Sequence, residues 1–184
     1  MTRQTPAKAL ERFEALSPVD PAQMVGLWRG TGLPTGHPLD GVLENLCWFG
    51  KRFTADGRAD ALLFTAGERR LVPVDPQYVP LRLAMRLSGF GRTGAARNLF
   101  SHLKLRFRAE ETVASVKTVA FHGMLSAAMV YDKQPIIDHF RLIDDNRLMG
   151  VMTIEWDERF YFFELARVED AGAAASRPVT NPEP

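Results

Sequence analysis

The second half of the chain is a succession of short apolar segments separated by polar turns, and this pattern constrains the fold most strongly. The separators at 132–135, 144–147 and 157–159 are short and rich in turn-forming residues. Strands joined by such short connections run antiparallel, because parallel neighbours need a long crossover. The pattern therefore predicts an antiparallel meander whose strands lie at 104–109, 112–121, 125–131, 136–143, 148–154 and 160–168.

The first half of the chain mixes strands with helices. Apolar residues at helical spacing predict a helix at 40–49, with Asp40 as its N-cap. Residues 78–88 alternate as a strand would but also carry arginines at helical spacing, and we favour a helix there. The remaining apolar runs are predicted strands, at 25–33, 61–65 and 71–74.

These elements predict a mainly β fold, an antiparallel up-and-down β-barrel with short capping helices. About eight or nine antiparallel strands form either a sandwich or a barrel, and only closure removes the exposed strand edges. A barrel of this size is filled by side chains or holds one small ligand. We expect one barrel domain at 20–170, with halves at 20–75 and 104–170, an N-terminal helix within 1–19 and a disordered tail at 171–184.

The composition is that of an ordinary globular protein, and we expect it to be cytoplasmic. The 184 residues are 46% hydrophobic and 24% charged, which is enough to bury a core. A net charge of +1 gives no overall attraction to nucleic acid or to an anionic membrane, and no apolar run reaches the length of a membrane span. A single cysteine, Cys47, and no charged-then-apolar leader favour a reducing compartment over secretion.

Two residues at opposite ends of the chain resemble a known barrel signature. Gly26-x-Trp28 begins the first clear strand, and Arg167 lies near the end of the last one. This pair resembles the signature of the calycin superfamily of lipocalins and fatty-acid-binding proteins. The resemblance implies that Trp28 packs beneath Arg167 by stacking and cation–π attraction, closing one end of the barrel.

A second resemblance covers most of the chain. Gly26-Leu-Trp-Arg-Gly30, followed by Thr35-Gly-His-Pro-Leu-Asp40 and Trp48-Phe-Gly-Lys-Arg-Phe53, resembles the GXWXG family. The run Met129-Val-Tyr-Asp-Lys-Gln-Pro-Ile-Ile-Asp-His-Phe-Arg141 resembles the domain of unknown function that usually accompanies that family. The resemblance implies a bacterial or fungal cytosolic protein, but it implies no activity.

His37, Asp40 and Lys51 form the first candidate site. A loop histidine, an acid three residues later and a lysine further along could supply a base, its orienting carboxylate and an anion-binding group at one mouth of the barrel. The alternative is that Asp40 caps a helix, His37 bonds locally and Lys51 is solvated. Both interpretations stay open.

A second candidate site contains Tyr131, Asp132, Asp138 and Arg141. On the strand at 136–143, Asp138 shares one face with Phe140, while His139 shares the other with Arg141, so one polar set faces the interior. We slightly favour an inward Asp138. The alternative puts Asp132 in a turn and His139 and Arg141 in solvent. The candidate ligand-binding residues are His37, Trp48, Lys51, Phe53, Tyr131, Asp138 and Phe140, and the candidate catalytic residues are His37 and Asp138.

Residues 76–109 contain no acid but seven basic residues, and we expect a basic rim that either holds an anionic ligand or is simply solvated. Within this segment, Gly89-Phe-Gly-Arg-Thr-Gly94 has the letters of a dinucleotide fingerprint without its strand context, and a flexible loop that could act as a lid is predicted instead. The four histidines and Cys47 lack metal-ligand spacing, so no metal site is expected. No cofactor is expected either, although haem on a single histidine, His122 or His37, stays open.

The leading functional hypothesis is a cytosolic protein that binds a small, mostly apolar molecule, an acid being one form, inside the barrel. The alternative is a cofactor-independent isomerase or lyase in which His37 or Asp138 moves a proton on a ligand polarised by Tyr131 or Lys51. A third hypothesis is a structural, partner-binding protein. No nucleic acid partner is expected, and the oligomeric state is left open.

Overall fold

A computed structural model describes residues 4–67 and 70–168, and one antiparallel sheet dominates it. Eight strands follow one another around a closed barrel in the order β1, β9, β8, β7, β6, β5, β3, β2, and β2 pairs back to β1; β4 extends the sheet beyond β3. The strands are β1 (Gly26–Leu33), β2 (Trp48–Phe53), β3 (Arg58–Ala66), β4 (Arg70–Pro73), β5 (Ala114–Phe121), β6 (Met124–Tyr131), β7 (Ile136–Asp144), β8 (Arg147–Ile154) and β9 (Asp157–Arg167).

The predicted mainly β barrel is therefore confirmed. The strand pairs that close it differ in length. The first and last strands, β1 and β9, are joined by six residue pairs, whereas β3 and β5 share only two, Arg58 with Ser115 and Ala59 with Ala114. The Arg58 side chain reinforces this narrow junction, since its Nη2 donates to the carbonyl of Thr112 at 2.7 Å and its guanidinium pairs with Asp132.

Short helices cover parts of the barrel. The N-terminal helix α1 has Thr5 as its N-cap, as expected within 1–19, and buries Phe13 against the outer face of the sheet. The remaining short helices precede β2 or lie between β4 and β5. The helices are α1 (Pro6–Glu14), α2 (Val42–Asn45), α3 (Leu81–Arg86), α4 (Ser88–Gly91) and α5 (Gly94–Leu103), with 3₁₀ turns at Pro21–Met24 and Pro76–Tyr78.

Three local predictions were wrong. The helix expected at 40–49 is only Val42–Asn45, because Cys47 adopts a left-handed φ of 64° that ends it, and the following residues form β2. Residues 104–109, a predicted strand, continue from α5 as turns with only an isolated bridge at Arg108. The glycine-rich stretch predicted as a loop contains α4 and the start of α5. The helix favoured at 78–88 is present as α3, and the tail predicted at 171–184 lies outside the described residues.

The barrel has two different ends. At the end where β1 begins and β9 finishes, the Arg167 guanidinium carbon lies 4.2 Å above the Trp28 ring, as the resemblance implies, and Trp28 Nε1 donates to the Met24 carbonyl. At the opposite end lies the segment 76–107, which we call the cap. It contacts turns and strand ends of that end: Phe100 packs on Phe64, Gln134 donates to the Pro76 carbonyl, and Arg82 lies over Trp156.

Alternation along β7 separates the interior from an outer core. Asp138 and Phe140 face the inside of the barrel and are fully buried there. His139 and Arg141 face outward, but they are covered rather than solvated: His139 stacks on Phe121 with ring centroids 3.9 Å apart, and Arg141 lies over the ring of Phe13 in α1. The alternative that placed His139 and Arg141 in solvent is therefore wrong, because Phe121 covers His139 and α1 covers Arg141.

Candidate functional site

The barrel interior contains one buried charged cluster, formed by Lys51, Tyr131 and Asp138, which we call the interior polar group. Lys51 Nζ lies 2.8 Å from Asp138 Oδ2 and also donates to the Ala61 carbonyl at 3.0 Å and to Tyr131 OH at 3.4 Å. Tyr131 OH in turn donates to Asp138 Oδ2 at 3.3 Å. The three ammonium hydrogens of Lys51 therefore each have an acceptor, and its charge is balanced by Asp138.

Aromatic rings surround this group. Lys51 Nζ lies between 5.2 and 5.8 Å from the centroids of Phe163, Trp48 and Tyr131. Burial first, and then the charge of Asp138, raises the pKa of Tyr131 well above its usual value, so its hydroxyl stays protonated. The ring of Tyr161 stacks on Phe163 at 6.1 Å, and burial raises its pKa as well.

Three polar atoms around the interior polar group are buried and have no hydrogen-bond partner among the described residues: Asp138 Oδ1, Trp48 Nε1 and Tyr161 OH. Buried polar atoms are nearly always paired, because leaving one unpaired costs about 1–3 kcal/mol. The indole N–H is a donor, the carboxylate oxygen an acceptor, and the phenol can act as either. Together they form a set of unmet hydrogen-bonding groups within one apolar interior.

Glycines on β1 and β8, the two strands that flank β9, make room for these aromatic side chains. A Cβ at Gly30, the last residue of the Gly26–Gly30 motif, would lie 2.1 Å from Trp48 Cη2. A Cβ at Gly32 would lie 2.5 Å from the Tyr161 hydroxyl, and one at Gly150 would lie 2.3 Å from Phe163 Cζ. The glycines therefore allow the rings around the interior polar group to pack directly on the sheet backbone.

A second cluster lies in the loop between β1 and β2, where Thr35, His37 and Asp40 are close in sequence. Asp40 Oδ2 accepts from the backbone N–H groups of Thr35 at 3.0 Å and Gly36 at 2.6 Å. His37 Nδ1 accepts from the Leu39 N–H at 3.2 Å, which places the proton of a neutral ring on Nε2. Within the described residues His37 Nε2, Thr35 Oγ1 and Asp40 Oδ1 have no partner.

The ring of His37 lies 5.5 Å from that of Tyr161, so this loop contacts the aromatic shell of the interior polar group. Burial lowers the pKa of His37 from 6.5 to about 4, although Asp40 and Asp157 partly oppose this. His37 is therefore neutral at neutral pH. The same value, about 4, applies to the buried His139 on the outer face of β7, again through burial.

These two histidines predict acid sensitivity. The unfolded chain binds protons at its histidines near pH 6.5, whereas the folded chain does so only near pH 4, so the free energy of unfolding should fall as pH falls from 6.5 to about 4. Urea unfolding across this range should show a shallower decline for His37→Gln and for His139→Gln than for the wild type. Replacement of the exposed His102 by Gln is the control, and a decline equal in all four proteins would contradict the assignment.

The candidate residues from the sequence fall into separate places. Lys51 does not join His37 and Asp40 but binds Asp138 and Tyr131, so one residue of the first predicted cluster completes the second. Asp132 is outside, paired with Arg58. Trp48, Phe53 and Phe140 lie in the interior core, with Phe53 and Phe140 in edge contact at 5.7 Å.

Sequence reasoning missed Tyr161 and Phe163. The signal was present in the alternation along the last strand, where both residues share the inward face, but the unbroken aromatic run at 160–163 hid that period. The outward residues of the same run, Phe160 and Phe162, belong to the core beneath α1.

The basic segment proves to be the cap, and two of its arginines attach it to the loop between β1 and β2. Arg92 donates to the carbonyls of Pro38 and Asp40, both at 2.7 Å, and Arg97 donates to the carbonyl of Asn45 at 2.9 Å. Arg97 Nη2 also donates to Asn45 Oδ1, and Asn45 Nδ2 donates to the carbonyls of Gly91 and Thr93. The capped end is thus the end at which the interior could be opened.

Two surface pockets lie near the candidate groups. A mostly apolar one of about 330 Å³ is lined by α1 and the β8–β9 turn and includes Thr35 and His37. A larger, polar one of about 470 Å³ includes Arg58, Tyr78 and Asp132 beside the β3–β5 junction.

Among the described residues no three His, Cys, Asp or Glu side chains are grouped to hold a metal, and His122 lies outside the barrel with its Nδ1 against Glu14. No helix in the described part of the chain is long and apolar enough to cross a membrane.

Comparison with known proteins assigns the two parts of the barrel. The GXWXG protein family matches residues 11–68, and a domain of unknown function, DUF4334, matches residues 112–167. The chain carries a GXWXG domain and a DUF4334 domain. The GXWXG region supplies β1 to β3 together with Trp28, Trp48 and Lys51, and the DUF4334 region supplies β5 to β9 together with Tyr131 and Asp138.

The interior polar group is thus shared between the GXWXG and DUF4334 regions. A similar solved structure is the crystal structure of a protein from Thermomonospora curvata, with 28% sequence identity and a TM-score of 0.66, covering 91% of this chain and 90% of that one. No curated protein matches the chain significantly. These comparisons name no activity.

Proposed function

We propose that the protein is a cytoplasmic binding protein for a small, mostly apolar molecule, held inside the barrel with its polar end against Trp48, Tyr161 and Asp138. The observation that carries this proposal is the set of three unpartnered polar atoms on these side chains. An apolar cavity with a few convergent polar groups is the usual design of a small-molecule site. The exposed, free Cys47 is consistent with the expected reducing compartment.

The charges in the barrel interior indicate which kind of polar group the ligand carries. Lys51 and Asp138 already balance each other, so an ionised ligand would bring an uncompensated charge into the core. A neutral group that both accepts and donates hydrogen bonds, such as an amide, a hydroxyl or a protonated carboxylic acid, could accept from Trp48 Nε1 and donate to Asp138 Oδ1. The ligand body would lie among Phe53, Phe140 and Phe163.

Entry requires the capped end to open. The unpartnered atoms are closed off even from water, and the opposite end is sealed by Trp28 and Arg167. The contacts of Arg92 and Arg97 with the β1–β2 loop, and the packing of Phe100 on Phe64, are among those that must break when the cap moves away. Lid opening of this kind is a common route into closed sites.

Removing one unpaired polar group tests the proposal, because the two expected effects have opposite signs. Tyr161→Phe keeps the ring and removes only an unpaired buried hydroxyl, so the ligand-free protein should be unchanged or more stable to heat. Ligand affinity should fall by roughly tenfold, through the loss of one hydrogen bond. Trp48→Phe should lower ligand affinity in the same way, but its smaller ring also leaves a cavity that costs stability. Trp156→Phe, outside the barrel interior, is the matched control.

The measurement is thermal unfolding with a panel of medium-chain amides, alcohols and carboxylic acids, combined with native mass spectrometry of the purified protein. A bound compound should raise the melting temperature of the wild type and the control more than that of the two variants. If no compound in the panel is bound and nothing copurifies, or if Trp48→Phe binds as the wild type does, the proposal is wrong.

An enzyme is the second candidate, and a specific observation favours Asp138 as its base. Lys51 and Tyr131 both bind Oδ2, which leaves Oδ1 free to take a proton from a ligand whose carbonyl is held by Trp48 and Tyr161. This would be an enolisation, as in isomerases. Under this hypothesis Asp138→Asn abolishes turnover of a bound carbonyl compound, whereas a pure carrier shows no turnover in either protein. Because the change leaves Lys51 without its counter-charge, circular dichroism must first show that the variant is folded.

A further inference from the structure

The cap has an unusual surface. Of the eight large apolar side chains that are exposed in the described part of the chain, six belong to the cap, and each of these is 48% to 53% exposed. Apolar side chains scattered singly need no explanation, but a concentration on one segment indicates an interaction site. The six residues are Tyr78, Leu83, Leu87, Phe90, Leu99 and Leu105.

Three of these side chains form a stripe along α3 and α4. Leu83, Leu87 and Phe90 are spaced by four and three residues. Leu87 is the turn residue that joins α3 to α4, and its N–H donates to the Leu83 carbonyl at 2.8 Å. The opposite side of α3 carries Leu81 and Met85, which pack on the barrel core. The cap is thus held to the barrel by one apolar face and exposes another.

Basic side chains are concentrated in the cap. No acid occurs from 76 to 109, and none of the basic side chains there forms an ion pair with a carboxylate of the described residues. Arg92 and Arg97 bind uncharged oxygen atoms, and Arg86 is exposed next to Leu87. Arg106 is exposed as well, but it lines the polar pocket that also contains Glu110, Glu111 and Asp132. Because the whole chain has a net charge of only +1, this positive charge is a local feature of the cap.

From this combination we infer that the cap binds the surface of an anionic lipid bilayer, with Leu83, Leu87 and Phe90 inserted among the headgroups. Helices that combine exposed apolar side chains with uncompensated arginines bind in the interface of such membranes, where burial of apolar area and attraction to lipid phosphates act together. A purely polyanionic partner would use the arginines but leave the apolar stripe in water.

This inference goes beyond the proposed ligand site and does not depend on it, but the two share a location. The cap is the segment that must move for the interior to open. Membrane binding would therefore place the entrance against the lipid bilayer, in which apolar molecules dissolve. Vesicle binding by the ligand-free protein and ligand binding in solution can each fail without the other.

Vesicle cosedimentation of the full chain tests the inference. The probes are vesicles of phosphatidylcholine alone and of phosphatidylcholine mixed with phosphatidylglycerol, at low and at high NaCl. The wild type should sediment with the mixed vesicles at low salt, at least about tenfold more strongly than with phosphatidylcholine alone, and should largely dissociate at high salt.

Two variants separate the apolar from the charged contribution. Replacing Leu87 and Phe90 together by Ser, and replacing Arg86 by Glu, should each weaken binding to the mixed vesicles by roughly tenfold. The matched controls change exposed residues elsewhere on the barrel. They are Leu125→Ser, at an apolar side chain that is 64% exposed, and Lys117→Glu. Circular dichroism and the melting temperature verify that each variant is folded.

Equal binding to both kinds of vesicle, or to neither, overturns the inference. Binding that the Leu87 and Phe90 variant retains in full, and that heparin competes for, would show a polyanion site instead and would also overturn it. Loss of binding in Leu125→Ser or Lys117→Glu to the same extent would show that the cap is not the surface responsible.

Discussion

Replacing Lys51 by Met should destabilise the protein by about 3–5 kcal/mol, because it leaves the Asp138 carboxylate buried without its counter-charge. Methionine fills a similar volume, so the loss reports the electrostatic effect rather than a cavity. The measurement is urea unfolding at neutral pH, followed by tryptophan fluorescence. The effect should be larger than that of any substitution at an exposed ion pair of this protein.

The double variant Lys51→Met with Asp138→Leu should recover most of that stability, since removing both charges removes the need to solvate either. The exposed pair of Arg147 with Asp144 supplies the matched control, and Arg147→Met should cost less than about 1 kcal/mol. If Lys51→Met also costs less than that, or if the double variant is no more stable than the single one, the interior polar group is not a coupled ion pair.

The substitution Gly30→Ala should cost roughly 3 kcal/mol, because the new methyl group would overlap three ring atoms of Trp48 at 2.1 to 2.7 Å. Gly94→Ala is the control, since that position begins α5 and has open space around it, and it should be neutral or slightly stabilising. Both changes are measured by urea unfolding, together with the fluorescence emission of Trp48, which should shift only for Gly30→Ala.

A double-mutant cycle identifies the cause of the Gly30 effect. In a Trp48→Leu background the smaller side chain leaves room for the methyl group, so Gly30→Ala should cost much less there than in the wild type. An unchanged cost in both backgrounds would mean that the alanine strains the backbone of β1 rather than displacing the indole.

The barrel could be predicted from the sequence because each strand of the second half has its own apolar pattern and a short polar turn after it. Alternation along β7 required either Asp138 or the pair His139 and Arg141 to face the interior, and it did not by itself decide between them. The contact of Trp28 with Arg167 came from a family resemblance and not from spacing, as the two residues are at opposite ends of the chain.

The pairing of Lys51 with Asp138 could not be predicted, because it depends on how far around the barrel β2 lies from β7. Nothing local in the sequence specifies that a lysine between Gly50 and Arg52 faces a carboxylate from the other half of the chain. Strand β2 itself was missed, since Leu43, Leu46 and Phe49 imitate a helical period that the left-handed Cys47 interrupts. Tertiary packing decided both outcomes.

The two family regions meet along two junctions of very different width, six residue pairs between β1 and β9 and two between β3 and β5. Each region alone is an open sheet with two unpaired edges and half of an ion pair, so neither is a folding unit in its own right. Expressed as separate fragments, they should aggregate when alone and reconstitute the barrel when mixed. The boundary between the two regions therefore separates two sequence families but not two folding units. The smallest part of the chain that can fold is the whole barrel.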